Sequence, residues 1–230
     1  MRYNNFNQPI GDEVKSFQNP KKPSINTIEG KYSKLEHLNS SHVDDLFTLL
    51  CAKENDANWT YLPNEPIHDS DEFNALMNTR IESQDPYFFA IIDKATGKAL
   101  GILSLLRINT KASSIEVGHI HYSSLLKRTR IATEVQYLLA KYVFETLEYR
   151  RYEWKCDSLN EPSKRAALRL GFTYEGTFRQ ALVYKGRTRD TDWFSITDKE
   201  WPNIKQQYED WLDEKNFNSD GNQVNKLSIK

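Results

Sequence analysis

The sequence predicts a mixed α/β domain, an α+β arrangement with a central, mostly antiparallel sheet of about seven strands flanked by helices. Three observations carry this expectation. Short apolar runs separated by turn signals fill residues 87–122 and read as adjacent strands. One long helical stripe follows over 131–148. A strand, a short capped helix and two further strands come after it.

The elements follow in order. Residues 27–38 read as a first strand. Ser40-Ser41 offers a cap for a helix over 42–53, where Val43, Leu46, Phe47 and Leu50 recur at helical spacing. A loop containing Trp59 and Tyr61 leads to a second helix over 69–83. Tyr87 to Ile92 is a buried-strand run, Asp93 to Gly97 supplies a turn, and Ala99 to Ile108 returns. A further turn at Asn109 to Ser113 feeds a strand over 115–122. Val135, Leu138, Leu139, Tyr142, Val143 and Leu147 form the apolar stripe of the longest helix. Tyr152, Trp154 and Cys156 then alternate with charged residues, as a strand does. Asn160 caps a short helix that tolerates Pro162 in its first turn, and Gly171 suits its end. Strands near 172–184 and 189–197 and a helix over 198–214 complete the body. Residues 1–26 read as an N-terminal arm packed through Phe6, Ile10 and Phe17, residues 27–215 as the domain, and 216–230 as a polar, frayed tail. A doubly wound dinucleotide fold needs a Gly-rich turn after its first strand. With nine glycines and neither GxGxxG nor GxxxxGK[ST], that rival is weak.

Composition narrows the function classes. Lys plus Arg number 31 against 32 Asp plus Glu, without the basic excess of a nucleic-acid binder, so no nucleic-acid partner is expected. Cys51 and Cys156 form no CxxC pair or His/Cys cluster, and His119 with His121 lacks a clear third ligand. No metal is therefore expected. No apolar run approaches the ~20 residues of a membrane span. The first residues carry no apolar signal core, and the expectation is a cytoplasmic protein with no membrane partner.

Chemistry gathers in two clusters. Lys127, Arg128 and Arg130 stand where a strand meets the start of the longest helix, whose unpaired N–H groups and dipole suit a phosphate. The same residues also read as a solvated basic turn. Residues 127–170 hold ten Lys/Arg and six Asp/Glu, a net +4 against −5 for the remainder, which favours an anionic ligand. The second cluster is Asn160-Glu161-Pro162-Ser163 with Leu170-Gly171-Phe172. Capping explains Asn160 and Gly171 but leaves Ser163 unassigned.

Strand, phosphate-type turn, a helix reading Ala-Thr-Glu, strand, and Asn-x-x-Ser…Leu-Gly-Phe together resemble the GNAT superfamily of N-acetyltransferases. Tyr174-Glu175-Gly176-Thr177-Phe178-Arg179 narrows the resemblance to the branch of the RimJ and RimL ribosomal-protein N-acetyltransferases. Asp190 and Glu200-Trp201 are similar to that branch's closing elements, so the resemblance spans residues 27–212. It implies transfer of an acetyl group from acetyl-CoA to a primary amine, either a protein N-terminus or a small molecule.

By that resemblance Lys127, Arg128, Thr129, Arg130, Ile131 and Ala132 would form the pyrophosphate loop, with Thr133 following. Arg130 occupies the place of a family glycine and would exchange close backbone approach for a charged fork. Asn160 would hold the pantetheine arm, and the backbone of Val117, Gly118 and His119 would polarise the thioester carbonyl. Glu116 would collect the proton, its burial beside apolar neighbours raising its pKa, with a structural pairing to an arginine as the plainer reading. His119 is the alternative base. Many relatives place a tyrosine where Ala167 stands, so Ser163 would orient or relay a proton to the departing thiolate. Trp59 and Tyr61 would wall the acceptor pocket or pack in the core. The rival readings are a non-catalytic acyl-CoA-binding module of the same fold and an α/β protein-interaction domain. A homodimer is compatible with the sequence.

Overall fold

The computed structural model describes residues 2–15, 17–219 and 221–229. Strands β1 (Arg2–Tyr3) and β2 (Pro9–Ile10) pair as a small separate hairpin. The arm does not pack through the expected apolar residues: Phe6 is 83% exposed, and Ile10 and Phe17 are also exposed. It is anchored further on, where Lys21 N–H donates to the Leu147 carbonyl at 3.1 Å and Ser24 N–H to the Tyr142 hydroxyl at 3.3 Å.

The stretch expected as one strand is a hairpin, β3 (Thr27–Glu29) and β4 (Ser33–His37), so the main sheet has eight strands. The cause lies a hundred residues away. The buried Glu134 carboxylate accepts from the N–H groups of Lys31 and Ser33, each at 2.8 Å, and from Tyr32 N–H and the Ser33 hydroxyl. A carboxylate surrounded by donors is a strong local fastener, and it turns the chain at Gly30. Glycine is required there, because a Cβ would come within 2.8 Å of Glu134 and of the Ser33 carbonyl.

Asn39, not Ser40 or Ser41, caps the next turn, accepting from Ser41 N–H at 3.0 Å, and α1 (Val43–Leu50) follows. A 3-10 stretch over Lys53–Trp59 leads to α2 (Ser70–Glu82), capped by Asp69. Next come β5 (Tyr87–Asp93), β6 (Ala99–Asn109) and β7 (Ser114–Tyr122). The long stripe forms α3 (Arg130–Lys141), then widens to a π turn over Tyr142–Thr146, with Leu147 N–H reaching the Tyr142 carbonyl at 3.0 Å. Tyr142, Val143 and Leu147 stay buried, so the apolar stripe survives the change of bonding. Strand β8 (Arg151–Asp157), helix α4 (Glu161–Arg169), strands β9 (Thr173–Tyr184) and β10 (Arg187–Thr197), and helix α5 (Trp201–Leu212) complete the order.

The sheet runs β3-β4-β5-β6-β7-β8-β10-β9 and every pair is antiparallel except β7 with β8. That order excludes a doubly wound parallel sheet. One face carries the larger core, with α3 and α5 residues such as Val135, Leu139, Ile204 and Tyr208. The opposite face carries a smaller core in which α1 and α2 meet β5 and β6 through Leu46, Phe73, Met77, Phe88 and Ile102. The C-terminal stretch is not frayed. Asn216 bonds the Trp211 and Asn225 carbonyls, Leu227 is buried, and Ile229 packs where Gly171, at φ +92°, leaves no room for a Cβ.

Candidate functional site

The sheet parts in the middle. β7 and β8 pair only from Ser114↔Arg151 to Val117↔Trp154, yet β7 runs on to Tyr122 and β8 to Asp157. Beyond Val117 and Trp154 the facing backbone groups have no partner strand, and unpaired peptide groups need another acceptor or donor. A bulge sharpens the break. The β6–β7 register shifts between Ile102 and Ser104, and His119 adopts φ +48°. Gly118 fits because a Cβ there would meet Leu106 at 2.9 Å. Val117 is buried in the core, its side chain turned away from the smaller core's face.

At the far end of this gap α3 begins. Thr129 caps it, accepting from Ala132 N–H at 3.2 Å and donating to the Leu126 carbonyl at 2.7 Å. The side chains are placed differently from the expectation. Lys127 donates to Asn58 beside Trp59. Arg130 is held between two rings, its Cζ 3.4 Å from the Tyr32 centroid and 4.6 Å from that of Phe217. Its fork therefore braces the β3–β4 turn and the C-terminal segment, as the planar guanidinium favours. Thr133 is buried and accepts from Arg169 at 3.1 Å, a packing contact. Arg128 is exposed, as Lys127 is, but has left-handed backbone at φ +64°. Ile131 is half-buried against the larger core.

Glu116 is 3% exposed, but its neighbours are not the apolar ones anticipated. Arg107 Nη1 lies 2.6 Å from both carboxylate oxygens and Lys155 Nζ 2.8 Å from one. The pairing continues along the sheet: Lys155 to Glu153 at 2.8 Å, Arg151 to Glu153 at 2.6 Å, and Arg151 to Glu175 at 2.8 Å. Burial works against the Glu153 charge, but Arg151 and Lys155 prevail and hold its carboxyl below the usual range. Lys155 also stands 3.6 Å over the Trp193 ring. The plainer reading of Glu116, a carboxylate paired with an arginine, is what the geometry contains.

His119 lies at the bulge. Ser104 Oγ lies 3.2 Å from the Gly118 carbonyl and 3.0 Å from His119 Nδ1; in the tautomer where the hydroxyl donates to the carbonyl and accepts from Nδ1–H, Nε2 carries the lone pair. Burial first, then the charges of Arg80 and Arg107, lower His119 to about 4. His121 is lowered to about 3 by burial, then by Arg80 and Lys127, and neither ring nitrogen has a partner among the described residues. Trp59 covers it edge-on, ring centroids 4.6 Å apart, and is itself a core residue with its indole bonded to the Leu50 carbonyl.

The remaining predicted residues meet on the β8 side. Asn160 caps α4 by accepting from Ser163 N–H at 3.2 Å. Ser163 accepts from the Trp154 indole at 3.0 Å, at the last paired position of β8. Tyr61 reaches across to the Leu159 carbonyl at 3.1 Å. Lys185 and Arg187, from the β9–β10 turn, donate to the Trp59 and Thr60 carbonyls and close the outer side. Sequence reading missed Arg107 and Lys155; the charges alternating through Arg151–Asp157 were the available sign of the latter. No group of three His, Cys, Asp or Glu among the described residues could hold a metal, and no helix there is long and apolar enough to cross a membrane.

A mostly antiparallel sheet that opens between two parallel strands, with a capped helix starting at the opening, frames the site. The sequence profile of the acetyltransferase (GNAT) domain matches residues 34–173, and the chain belongs to that family. It is similar to a GCN5-related N-acetyltransferase from Brucella melitensis, 44% identical, TM-score 0.91, covering 93% of this chain and 97% of that one. It also resembles YdaF of Bacillus subtilis (strain 168), a candidate ribosomal N-acetyltransferase, at 28% identity over 109 residues; that match takes in 47% of this chain and 59% of YdaF. The fold is shared with the microcin C7 self-immunity acetyltransferase MccE, solved with acetyl-CoA and AMP, at 18% identity, TM-score 0.64 and coverage of 73% and 93%.

Proposed function

We propose that this chain transfers the acetyl group of acetyl-CoA to a primary amine by direct attack, with no covalent enzyme intermediate. The observation that carries the reading is the gap between β7 and β8 ending at the first turn of α3. The acetyl-CoA held by MccE supports the choice of co-substrate. Peptide groups of β7 beyond Val117, including those of Gly118 and His119, pair with the pantetheine and polarise the thioester carbonyl. The free N–H groups of Arg130 and Ile131 and the exposed Arg128 take the pyrophosphate, while Lys127, Thr129, Arg130 and Ala132 hold the loop in shape. Asn160 offers its amide N–H groups to the pantetheine arm.

The amine nitrogen attacks the thioester carbon and the C–S bond breaks. His119 Nε2 takes the nitrogen's proton, and the Ser163 hydroxyl, oriented by Trp154, hydrogen-bonds the leaving thiolate. Glu116 acts by position, fixing Arg107 and Lys155 beside the bulge. Trp59 and Tyr61 wall the acceptor side, Trp59 through His121. Calorimetry with acetyl-CoA, followed by CoA release with a panel of amines, tests the reading. Binding with amine-dependent CoA release is expected. Binding without turnover would leave the non-catalytic module, and no binding would remove both.

A further inference from the structure

The residue that the acetyl-transfer reading leaves without a task is Arg80. It lies in the last turn of α2, 7% exposed, and its guanidinium makes no hydrogen bond and no ion pair with any described residue. Other nearly buried cations are matched: Lys155 stands 2.8 Å from each of two carboxylates, and Lys185 3.1 Å from Glu65. Among the described residues no carboxylate accompanies Arg80. The Phe88 ring centroid is 5.4 Å from its Cζ, and its charge reaches the Cys51 thiol and the imidazoles of His119 and His121. Burial pulls Arg80 down to about 10 with no carboxylate to offset it. The carbonyls ending α2 compensate a fraction of a buried charge at most. A guanidinium this buried and without an anion costs stability in the free protein, and an anion from outside the chain would offset that cost.

Its location says which anion. The Phe88 ring contacts both Arg80 and the His119 imidazole, at 5.4 Å and 5.2 Å between centres, and the Arg80 charge acts on His119 and on His121, which Trp59 covers, so the cation stands on the same side of the sheet as the bulge. Both ring nitrogens of His121, 3% exposed, are also unpartnered there. We propose that the acceptor is a small amine that also carries an anionic group, a carboxylate or a phosphate, which the planar fork of Arg80 holds while the amine meets the thioester at His119. Both anions fit a guanidinium fork in two-point contact. The proposal rests on the acetyl-transfer reading and names its substrate class.

The test uses the full chain, acetyl-CoA and matched acceptor pairs: L-amino acids against their amides, and phosphoethanolamine against ethanolamine. In the wild type the charged member of at least one pair should have a kcat/KM about ten- to a hundredfold higher, the scale of one charge-assisted contact. The winning pair distinguishes carboxylate from phosphate. Arg80→Met should bring that ratio close to one, and Arg80→Lys should keep part of it. A wild type that binds acetyl-CoA but treats both members alike, or a preference that survives in Arg80→Met, overturns the proposal. A second measurement needs no turnover. Arg80→Met, apolar and of similar length, should match or exceed wild-type stability in urea, because the charge it removes is uncompensated. A marked loss of stability would show that the guanidinium holds the fold together and would also overturn it. Failure of acetyl-CoA to bind would strike the acetyl-transfer reading instead, with the stability result still judging Arg80.

Discussion

His119 concentrates the chemistry of the proposed site in one residue. Its positive φ is tolerated by Asn, so His119→Asn keeps the bulge and removes the Nε2 lone pair. Turnover should fall by about 10²–10⁴-fold with acetyl-CoA affinity unchanged; a parallel loss of affinity would mean the bulge itself had collapsed. Glu116→Gln should lower the urea midpoint by loosening Arg107 and Lys155 while the pH–rate profile keeps its shape. A profile that lost its acid limb would return the proton to Glu116. The histidines also set a pH dependence of stability. His119 and His121 titrate near 4 and 3 when folded, below the ordinary 6.5. The unfolded chain then binds more protons, so stability is full above pH 6.5 and falls as pH drops from there toward 4. The lowered carboxylates, among them Glu36, Glu153 and Glu175, add their loss only below about 4.5. Urea midpoints at half-unit steps would show the first decline well above the carboxylate range, and His121→Phe should flatten it.

At the scale of an element, the start of α3 separates two arginines that look alike in sequence. Arg128 is exposed and free to meet a phosphate, whereas Arg130 is committed to Tyr32 and Phe217. Arg128→Gly relieves a left-handed backbone that costs a non-glycine residue ~1 kcal/mol, yet it should weaken acetyl-CoA binding by one to two decades at low salt and less at high salt. Arg130→Ala should instead lower thermal stability and leave the salt dependence of binding unchanged. Dissociation constants at two ionic strengths decide between these assignments. Equal affinity of Arg128→Gly and wild type at low salt would remove Arg128 from the phosphate site. The local order Lys-Arg-Thr-Arg marked a basic helix start; which arginine is tied down depended on Tyr32 and Phe217, 185 residues apart in the chain.

For the whole molecule, the C-terminal segment closes the larger core. Leu227 is 7% exposed and packs in that core, with Ile229 filling the space beside Gly171. Leu227→Ala should cost about 2–5 kcal/mol, the usual range for emptying a buried leucine site. A change in melting temperature within error would show that this segment adds little to the fold.

Periodicity, caps and turn residues are local, and they determined the α/β class, the order of the elements and the place where a phosphate-type turn meets the longest helix. The same local signals read 27–38 as one strand, because nothing there announces that Glu134 will collect the N–H groups of its turn. Burial beside apolar neighbours was the natural expectation for Glu116, since a strand sequence names the residues on either side but not those on the next strand. Arg107 from β6 and Lys155 from β8 arrive through pairing across the sheet. Arg80 shows the converse: in sequence it is an ordinary charge near a helix end, and only the packing of α2 against Phe88 leaves it 7% exposed without supplying an anion. What the sequence alone determines is therefore what short stretches of chain prefer. The charges that meet, and the one that meets nothing, are decided by long-range contacts in the folded sheet.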